Sequence, residues 1–411
     1  MKIQIHRGNN DISHNLIEIS TESTKIILEC GWDQPLSDGI GDFGDVAVEG
    51  LTYGESTYDA VFVLNHQADH RGLIENINAD IPIYISRDTK ILHDIISDFN
   101  DAALLRADNE LEHGQTVQVG DITLLPLGVD QRIKGKMLIL VKGNGKKLLY
   151  TDGLKSIDPA YFSILEKIDI LLCEGVNFGS QNDIHIGELE SAIAKIMYPA
   201  DKHIFILSSI TDAEKIKCVE KACRASGRTL AFDPLLKVIQ DRMTNPLLIN
   251  PVGFLLNETV EDKPRILQYI ISNNDMEFYE VSRFFEMDTI NKMSRLAVMV
   301  RPSMGTYLRR MNYLASLSGA TLVNLIWEGY GKTYPVMDFL LLCHSLGMKI
   351  ETVTASNHVY REQLRDMITK LQPKVIVPVA NVSTDIFYEF RGGVQVMESG
   401  GNHLEEIELT G

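Results

Sequence analysis

Short apolar runs separated by Gly, Asn and Asp dominate the first 150 residues of the chain. Some runs alternate apolar and polar positions, as in half-buried β-strands, and others are continuously apolar, as in fully buried strands. The predicted strands are KIQIH, NLIEIST, TKIILECG, AVFVLN, IPIYIS, TVQVGDITLLPL, MLILVKG and KKLLYTDG. Two helical stretches interrupt them, HRGLIENI and TKILHDIISDFN. The pattern predicts a region built mainly from β-sheet.

After ILLCEG the pattern changes, because longer helical periods alternate with single strands. The segments are ELESAIAKIMYP, HIFILSS, DAEKIKCVEKACRASG, TLAFD, PLLKVIQDRM, RLAVMVR and TLVNLIW. This alternation is typical of a parallel sheet built from βαβ units. The C-terminal part again alternates strand and helix, with the strand KIETVT, a helix from about Tyr360 to Leu371, and the strand KVIVPVAN. A second α/β domain inserted near the C-terminal part of a first one is the simplest interpretation.

The length and composition limit which classes of protein this chain can belong to. A chain of 411 residues is too long for one ordinary core, which predicts two or three domains. No segment reaches the ~18 consecutive apolar residues of a membrane span, and MKIQIHRGNND has the pattern of a strand instead of a signal peptide. The five cysteines form no CxxC pair, which predicts reduced thiols and a cytoplasmic location. We expect no membrane association.

The formal net charge of −17 works against non-specific binding to a phosphate backbone, which depends on Lys and Arg. A local positive groove is still compatible with this charge. Weak candidates for contacts with nucleic acid or another anion are Arg132, Lys134, Arg301 and Ser303. The last two lie in RPSMGTYLRR, where backbone amides at a helix start would suit an anion. Such clusters are more often solvated faces of the protein.

Polar side chains follow the predicted strand in VFVLNHQADH, residues 61–70. Asn65, His66, Gln67, Asp69 and His70 come at the spacing that a dinuclear zinc site needs at a strand end. Zinc prefers imidazole, thiolate and carboxylate, whereas two of these residues are carboxamides. The segment therefore has the outline of a metal site with unsuitable ligands.

Several segments, taken in order, resemble the metallo-β-lactamase fold as it occurs in the β-CASP, RNase J-like family. IHRGNNDISHNLIEIS with KIILECG resembles the opening hairpin, and VFVLNHQADHRGL resembles the HxHxDH loop. LLPLGVDQRI corresponds to the segment in which the family has its next histidine. KKLLYTDGLK corresponds to the family's strand that ends in a bridging aspartate. LLCEGVN resembles a motif with an acidic residue, ASNHVYREQL the SGHA segment, and QPKVIVPVANV the PKxxIPxH segment. The resemblance spans essentially the whole chain.

The resemblance implies an αββα sandwich with metals at one edge and an inserted β-CASP α/β domain that closes over them. The implied divisions are 1–185 for the first part of the sandwich, 186–345 for the insertion, and 346–411 for the last part. Family members of this kind are zinc-dependent nucleases in which two metal ions activate water and stabilise charge at phosphorus.

Five positions that hold metal ligands in the family are altered here. They are Asn65, Gln67, Gln131, Gly153 and Ala380. Asp152, beside Gly153, is a weak substitute if the turn is rebuilt. A one-residue slip would let His66 act as a ligand, but in an extended segment a slip turns the side chain to the opposite side. Because neither metal position keeps three good ligands, we expect no bound cofactor.

Some positions of the family site are retained. Asp69 and His70 match the family motif and, with Asp152, are weak metal candidates. The presence of Asp69 and His70 is also explained by hydrogen bonds that would hold the surrounding loops. By the resemblance, Glu174 and His358 would help to hold a phosphate and assist proton transfer. The candidate catalytic residues are therefore Asp69, His70, Glu174 and His358.

The leading hypothesis is a catalytically inactive relative, a pseudoenzyme that binds a protein partner, an active paralogue, or nucleic acid. The first alternative is a phosphodiester hydrolase with a remodelled site around a single zinc or manganese ion. It would use Asp69, His70, Asp152, Glu174 and His358. The second alternative is a sensor of RNA or nucleotide without turnover. A homodimer is compatible with each of them.

Overall fold

The computed structural model describes most of the chain and confirms a mixed α/β protein. The described residues are 1–7, 15–31, 47–100, 104–128, 135–151, 157–174, 184–243, 252–254, 284–285, 295–327, 331–355, 359–379, 385–390, 393–397 and 406–408. The described strands form three sheets.

The first sheet is mixed and begins with the N-terminal residues. Its strands are β1 (Lys2–Arg7), β2 (Leu16–Ser20), β3 (Lys25–Leu28), β4 (Ala60–Val63), β5 (Ile83–Ser86), β6 (Asn109–Leu111) and β21 (Glu406–Glu408). They pair in the order β21-β1-β2-β3-β4-β5-β6. The pairs from β3 to β6 are parallel and the others are antiparallel. A short helix α1 (Ala68–Arg71) follows β4, and α2 (Arg87–Asn100) follows β5.

The second sheet combines an antiparallel half with a parallel half. Its strands are β7 (Val117–Val119), β8 (Ile122–Gly128), β9 (Met137–Gly143), β10 (Lys146–Tyr150), β11 (Ile170–Glu174), β19 (Val375–Val379) and β20 (Gln395–Val396). They pair in the order β20-β19-β11-β10-β9-β8-β7. Strands β10, β11, β19 and β20 run parallel, so that Glu174 lies beside Val379.

These two sheets pack face to face around a shared apolar core. Ile26 and Phe62 of the first sheet and Ile139, Leu148 and Leu172 of the second all belong to it. On the outer face of the first sheet, strand residues pack with the 3₁₀ turn Ile74–Asn76. On the outer face of the second, they pack with helix α8 (Arg361–Leu371). Strands covered on both faces are continuously apolar, which explains the run AVFV of β4. The layers that these clusters show are a 3₁₀ turn, the first sheet, the second sheet and helix α8.

The third sheet is entirely parallel. Its strands are β12 (Ile204–Leu207), β13 (Thr229–Phe232), β14 (Val252–Phe254), β15 (Phe284–Phe285), β16 (Leu296–Val300), β17 (Thr321–Asn324) and β18 (Lys349–Thr352), in the order β15-β14-β13-β16-β12-β17-β18. Helices α3 (Ile186–Met197) and α4 (Ala213–Ser226) pack on one face. Helices α6 (Gly305–Leu314) and α7 (Tyr334–Ser345) pack on the other. Helix α5 (Pro234–Met243) follows β13.

Two segments differ from the sequence prediction. TVQVGDITLLPL is not one strand but two, β7 and β8, because Gly120 (φ +52°) and Asp121 form a turn between them. KIETVT belongs to the third sheet, where β18 pairs with β17, so that this sheet continues to Thr352, past the predicted division at 345. Among the described helices, none has the length and apolar character needed to cross a membrane.

Candidate functional site

The strands that precede the predicted site residues end at one edge of the sandwich. In the second sheet, β10, β11 and β19 run parallel. Strand β9 starts opposite the end of β8, with Met137 beside Gly128, and pairs Ile139 with Tyr150 at the end of β10. The backbone N–H of Met137 donates to the carbonyl of Leu64 at 3.1 Å, which ties the end of β4 to the same edge.

Only part of the predicted site lies in the described residues. Outside them are Gln131, Arg132, Lys134, Asp152, Gly153, His358 and Ala380. Asp69 lies on α1, but its side chain is also outside the described part of the structure. The roles assigned to these eight residues therefore stay predictions. The positions that can be placed are Asn65, Gln67, His70, Glu174, Arg301 and Ser303.

Asn65 and Gln67 are hydrogen-bonded to each other. The amide Nδ2 of Asn65 donates to Oε1 of Gln67 at 3.1 Å, and the backbone N–H of Gln67 donates to Oδ1 of Asn65 at 3.3 Å. Asn65 is fully buried. The loop after β4 is therefore shaped by its own amide groups. Neutral amides are poor zinc ligands, so these two donors do not fit a dinuclear zinc centre.

His66, between them, contacts the third sheet. Its Nε2 lies 3.0 Å from Oγ1 of Thr211, in the segment between β12 and α4. Burial, and to a smaller extent the nearby charges of Arg71, His70, Lys136 and His93, together lower the pKa of His66 to about 3. The imidazole is therefore neutral near pH 7 and connects the sandwich to the third sheet.

His70 lies against a buried carboxylate that the sequence analysis did not single out. Its Nδ1 is 3.5 Å from Oε1 of Glu29, which is fully buried. The other oxygen of Glu29 accepts a hydrogen bond from the backbone N–H of Leu64 at 3.2 Å. A carboxylate behind a histidine fixes the orientation of the ring, as it does behind many metal-bound histidines. A charged residue directly after the apolar run KIIL was the available sequence signal.

Glu174 ends β11 and is buried, next to Val379 of β19. Its position beside the strand that leads to Ala380 places it at the same edge as the loop after β4. Cys173, immediately before it, packs into the core on the outer face of the second sheet. Burial raises the pKa of the Cys173 thiol far above its ordinary value, so this cysteine is an unreactive core residue.

Arg301 and Ser303 are bonded within the protein. The guanidinium of Arg301 forms an ion pair with Asp233, which follows β13, and its Nε donates to Oγ of Ser303 at 3.0 Å. The guanidinium also lies over the ring of Phe99 in α2, 5.0 Å from the centroid. Arg301 thus joins the third sheet to the sandwich. The anion-binding role predicted for both residues stays a prediction.

The contacts between the sandwich and the third sheet gather at the carboxyl ends of parallel strands. Leu92 and Phe99 of α2 pack in one apolar cluster with Leu235 and Ile239 of α5. Thr211, Asp233 and Arg301 all follow strands of the third sheet. Ligands of open α/β sheets bind at such carboxyl ends. We call this region, where the loop after β4 faces these strand ends, the junction.

The donors at the junction do not form a metal site of the family type. Within the described residues, no three His, Cys, Asp or Glu side chains are grouped so that they could hold a metal ion. At three further positions where the family has metal ligands, the sequence has Gln131, Gly153 and Ala380. Gln131 offers a neutral amide, and the other two have no side chain that could bind a metal ion. This donor chemistry does not match the zinc sites of the family that the sequence resembles.

No protein-family model matches the chain, and no curated protein matches it either. A protein of unknown function from Enterococcus faecalis V583 is similar in structure, with a TM-score of 0.70, 15% identity, and 99% of both chains covered. A metallo-beta-lactamase with a HARLDQ motif from Cronobacter sakazakii covers 39% of this chain and 73% of its own, at 17% identity and a TM-score of 0.30. Zn²⁺-bound PqqB from Methylobacterium extorquens covers 43% and 73%, at 14% identity and a TM-score of 0.33. The chain therefore shares its fold, along essentially its whole length, with the Enterococcus faecalis protein.

Proposed function

We propose that this protein is a metal-free, catalytically inactive relative of the β-CASP, RNase J-like nucleases that works by binding. The observation that supports this most directly is the mutual hydrogen bonding of Asn65 and Gln67. Their amides satisfy each other at the place where the family has two metal-binding histidines. Such an amide pair can order the loop without a metal ion, and the two amides offer no good ligand for a metal ion that would activate water for attack on phosphorus.

The binding site in this proposal is the junction. His66 and Arg301 both cross from one part of the molecule to the other there. The candidate ligands are a protein partner or active paralogue, and RNA or a nucleotide. The net charge of −17 disfavours extended, non-specific contacts with nucleic acid and favours a local site. A cytoplasmic location and a homodimer are part of the same proposal.

Metal content tests the proposal. Protein purified without chelators is offered zinc, manganese and magnesium, and metal per chain is measured by elemental analysis. We expect a value near zero. Two zinc ions per chain would overturn the proposal. A variant with Asn65→His, Gln67→His, Gln131→His, Gly153→Asp and Ala380→His serves as the positive control, because it restores the family ligands and is expected to gain zinc.

A second candidate function is hydrolysis around a single metal ion. The pairing of His70 with Glu29 favours it, because a carboxylate commonly accepts the second ring N–H of a metal-bound histidine. In this alternative Asp69, His70, Asp152, Glu174 and His358 surround one zinc or manganese ion. The double variant Asp69→Asn, His70→Gln decides the matter in an assay with labelled RNA and added manganese. Hydrolysis that the wild type performs and the double variant loses would establish this alternative, and unchanged hydrolysis would exclude the site.

A further inference from the structure

Strand β18 is the outermost strand on one side of the third sheet. Among the described strands it pairs with β17 alone, in parallel. The backbone N–H of Lys349 donates to the carbonyl of Ala320 at 2.8 Å, which directs the backbone groups of Lys349 towards β17. Because successive residues of a strand direct these groups to opposite sides, the N–H and C=O of Ile350 and Thr352 point away from the sheet.

The outer side of β18 is accessible over a short stretch. Its four residues are exposed or half-buried. Two residues beyond the strand, the carbonyl of Thr354 accepts a hydrogen bond from the N–H of Ile184 at 2.9 Å, so the segment before α3 occupies the outer side there. Unpaired backbone groups on an outermost strand can form hydrogen bonds with a strand of another chain.

The charges of β18 complement those of a second copy in one register. Lys349 and Glu351 lie on the same face of the strand, form an ion pair with each other, and have side chains that are 69% and 35% exposed. If two β18 strands pair antiparallel about Ile350, Lys349 of each copy lies opposite Glu351 of the other. Pairing about Glu351 would instead place two glutamates opposite each other. Opposite charges across two strands are stabilising and like charges are destabilising, so the first register is favoured.

The backbone geometry fits the same register. The outward N–H and C=O of Ile350 would exchange two hydrogen bonds with those of Ile350 in the other copy. Lys349 and Glu351 would then form pairs without backbone hydrogen bonds, in which the Cα atoms are about 4.5 Å apart and the side chains are closest. The register that the charges favour is therefore one in which the outward backbone groups can pair.

Helix α7 gives this side of the sheet an apolar face. It connects β17 to β18, and its residue Leu342 faces α6, because a Cβ on Gly305 would lie 3.2 Å from Cδ2 of Leu342. By helical geometry Leu340 lies on the opposite flank of α7, and it belongs to the same apolar cluster as Ile350. Leu341, beside it, is 62% exposed. Apolar side chains thus adjoin β18 on the face opposite its charged pair.

We propose that two copies of this chain dimerise through β18, with the two strands antiparallel about Ile350 and the third sheet continuous from one copy to the other. A two-fold axis perpendicular to the sheet brings the two α7 helices to the same face. Such an interface uses the same surface on both copies and must be self-complementary, as Lys349 and Glu351 are. The inference rests on the homodimer of the proposed function and assigns the surface that forms it.

Charge reversal tests the register. The mass of the full chain in solution is measured by analytical ultracentrifugation over a dilution series, and we expect a dimer. Lys349→Glu and Glu351→Lys should each raise the dissociation constant by about tenfold or more, because like charges then face each other. Lys370→Glu, at an exposed lysine paired with Asp366 on α8, is the control and should stay within about twofold of wild type. A monomer at all concentrations, or a wild-type dissociation constant in both reversed variants, would overturn the inference.

A mixture of the two reversed variants separates pairing from folding. When Lys349→Glu meets Glu351→Lys, both cross-strand pairs again join opposite charges. We therefore expect the equimolar mixture to form a heterodimer with nearly wild-type affinity. Mixing cannot repair a variant that is merely unstable. A mixture that dimerises no better than either variant alone would contradict the proposed register.

Hydrogen exchange in the wild type covers the case in which the variants do not fold. The N–H of Ile350 should exchange more slowly at high protein concentration than at low concentration, because only the dimer gives it a partner. The N–H of Lys349, bonded to Ala320, is the internal control and should be protected at both concentrations. Exchange at Ile350 that is independent of concentration would refute the interface.

The dimer interface and the metal-free function fail separately. A dimer that tolerates both charge reversals would keep the homodimer and refute the β18 surface. Zinc uptake would refute the metal-free function and leave the results on β18 unchanged.

Discussion

The two edges that meet at the junction surround their cations differently. At the third sheet, Arg301 is paired with Asp233, and Lys215 lies 3.5 Å from Asp212. At the sandwich, Arg71 and Lys136 lie around His66 and lower its pKa. A buried cation with a carboxylate beside it is typical of a structural contact, whereas a buried imidazole with cations near it is held in its neutral form. We therefore expect substitutions at the first edge to change stability near pH 7 and substitution of His66 at the second to change how stability depends on pH.

The largest effect is expected at the third sheet. Asp233→Ala leaves the guanidinium of Arg301, which is 12% exposed, without its carboxylate and removes the hydrogen bond that Asp233 accepts from the N–H of Leu236 at 3.0 Å. Breaking a buried ion pair from one side costs about 3–5 kcal/mol. Urea unfolding measures the free energy. Asp366→Ala, which breaks the exposed pair with Lys370, is the control, with an expected loss of about 0.5 kcal/mol. Equal losses would contradict the structural role of the third-sheet edge.

A backbone change at the sandwich edge should lower stability. Gly135→Ala places a Cβ against Thr89 at a positive φ, so we expect a loss of about 2–3 kcal/mol in the free energy of unfolding, measured in urea. Gly145→Ala is the matched control, because its φ of +68° is similar but no atom lies within 4 Å of the added Cβ. That variant should lose about 1 kcal/mol. Equal losses in the two variants would contradict the close approach of Gly135 to Thr89.

The pH dependence of stability should report on His66. Its pKa is about 3 in the folded protein and 6.5 ordinarily, so the unfolded chain binds the extra proton between these values. Stability from this histidine is therefore present above pH 6.5 and is lost as the pH falls towards 3. By about pH 5 the loss is on the order of 2 kcal/mol. His66→Gln should flatten the acid side of the unfolding curve by this amount, and parallel curves for variant and wild type would contradict the prediction.

The smallest effect is expected in the amide pair. Gln67→Ala removes the acceptor of the hydrogen bond from Asn65, and we expect a loss of about 1 kcal/mol in urea unfolding. EDTA should not change this difference if the loop is ordered by its own amides. A difference that appears only after metal addition would indicate that a metal ion, and not the amide pair, orders the loop.

Much of the fold was predictable because burial leaves a local pattern. Runs such as AVFV in β4 and ILLC in β11 are covered on both faces, so that every residue in them is apolar and the strand is evident. Helix α4 begins after Asp212, whose side chain accepts from the N–H of Lys215, and ends at Gly227 with φ +65°, as local capping rules predict. The site was less predictable. Glu29 and His70 are far apart in sequence, and no local pattern connects them.

The sequence by itself determined most of the strands and helices and the donor chemistry of the loop after β4, because apolar periodicity reports burial and the amides at Asn65 and Gln67 remain neutral in any fold. Only the tertiary structure decided which groups meet. It placed His66 on Thr211, His70 on Glu29, and Arg301 between Asp233 and Phe99. The physical reason is that these contacts join residues from different sheets and strand ends. Their energies depend on three-dimensional distance and burial, which the order of residues along the chain does not specify.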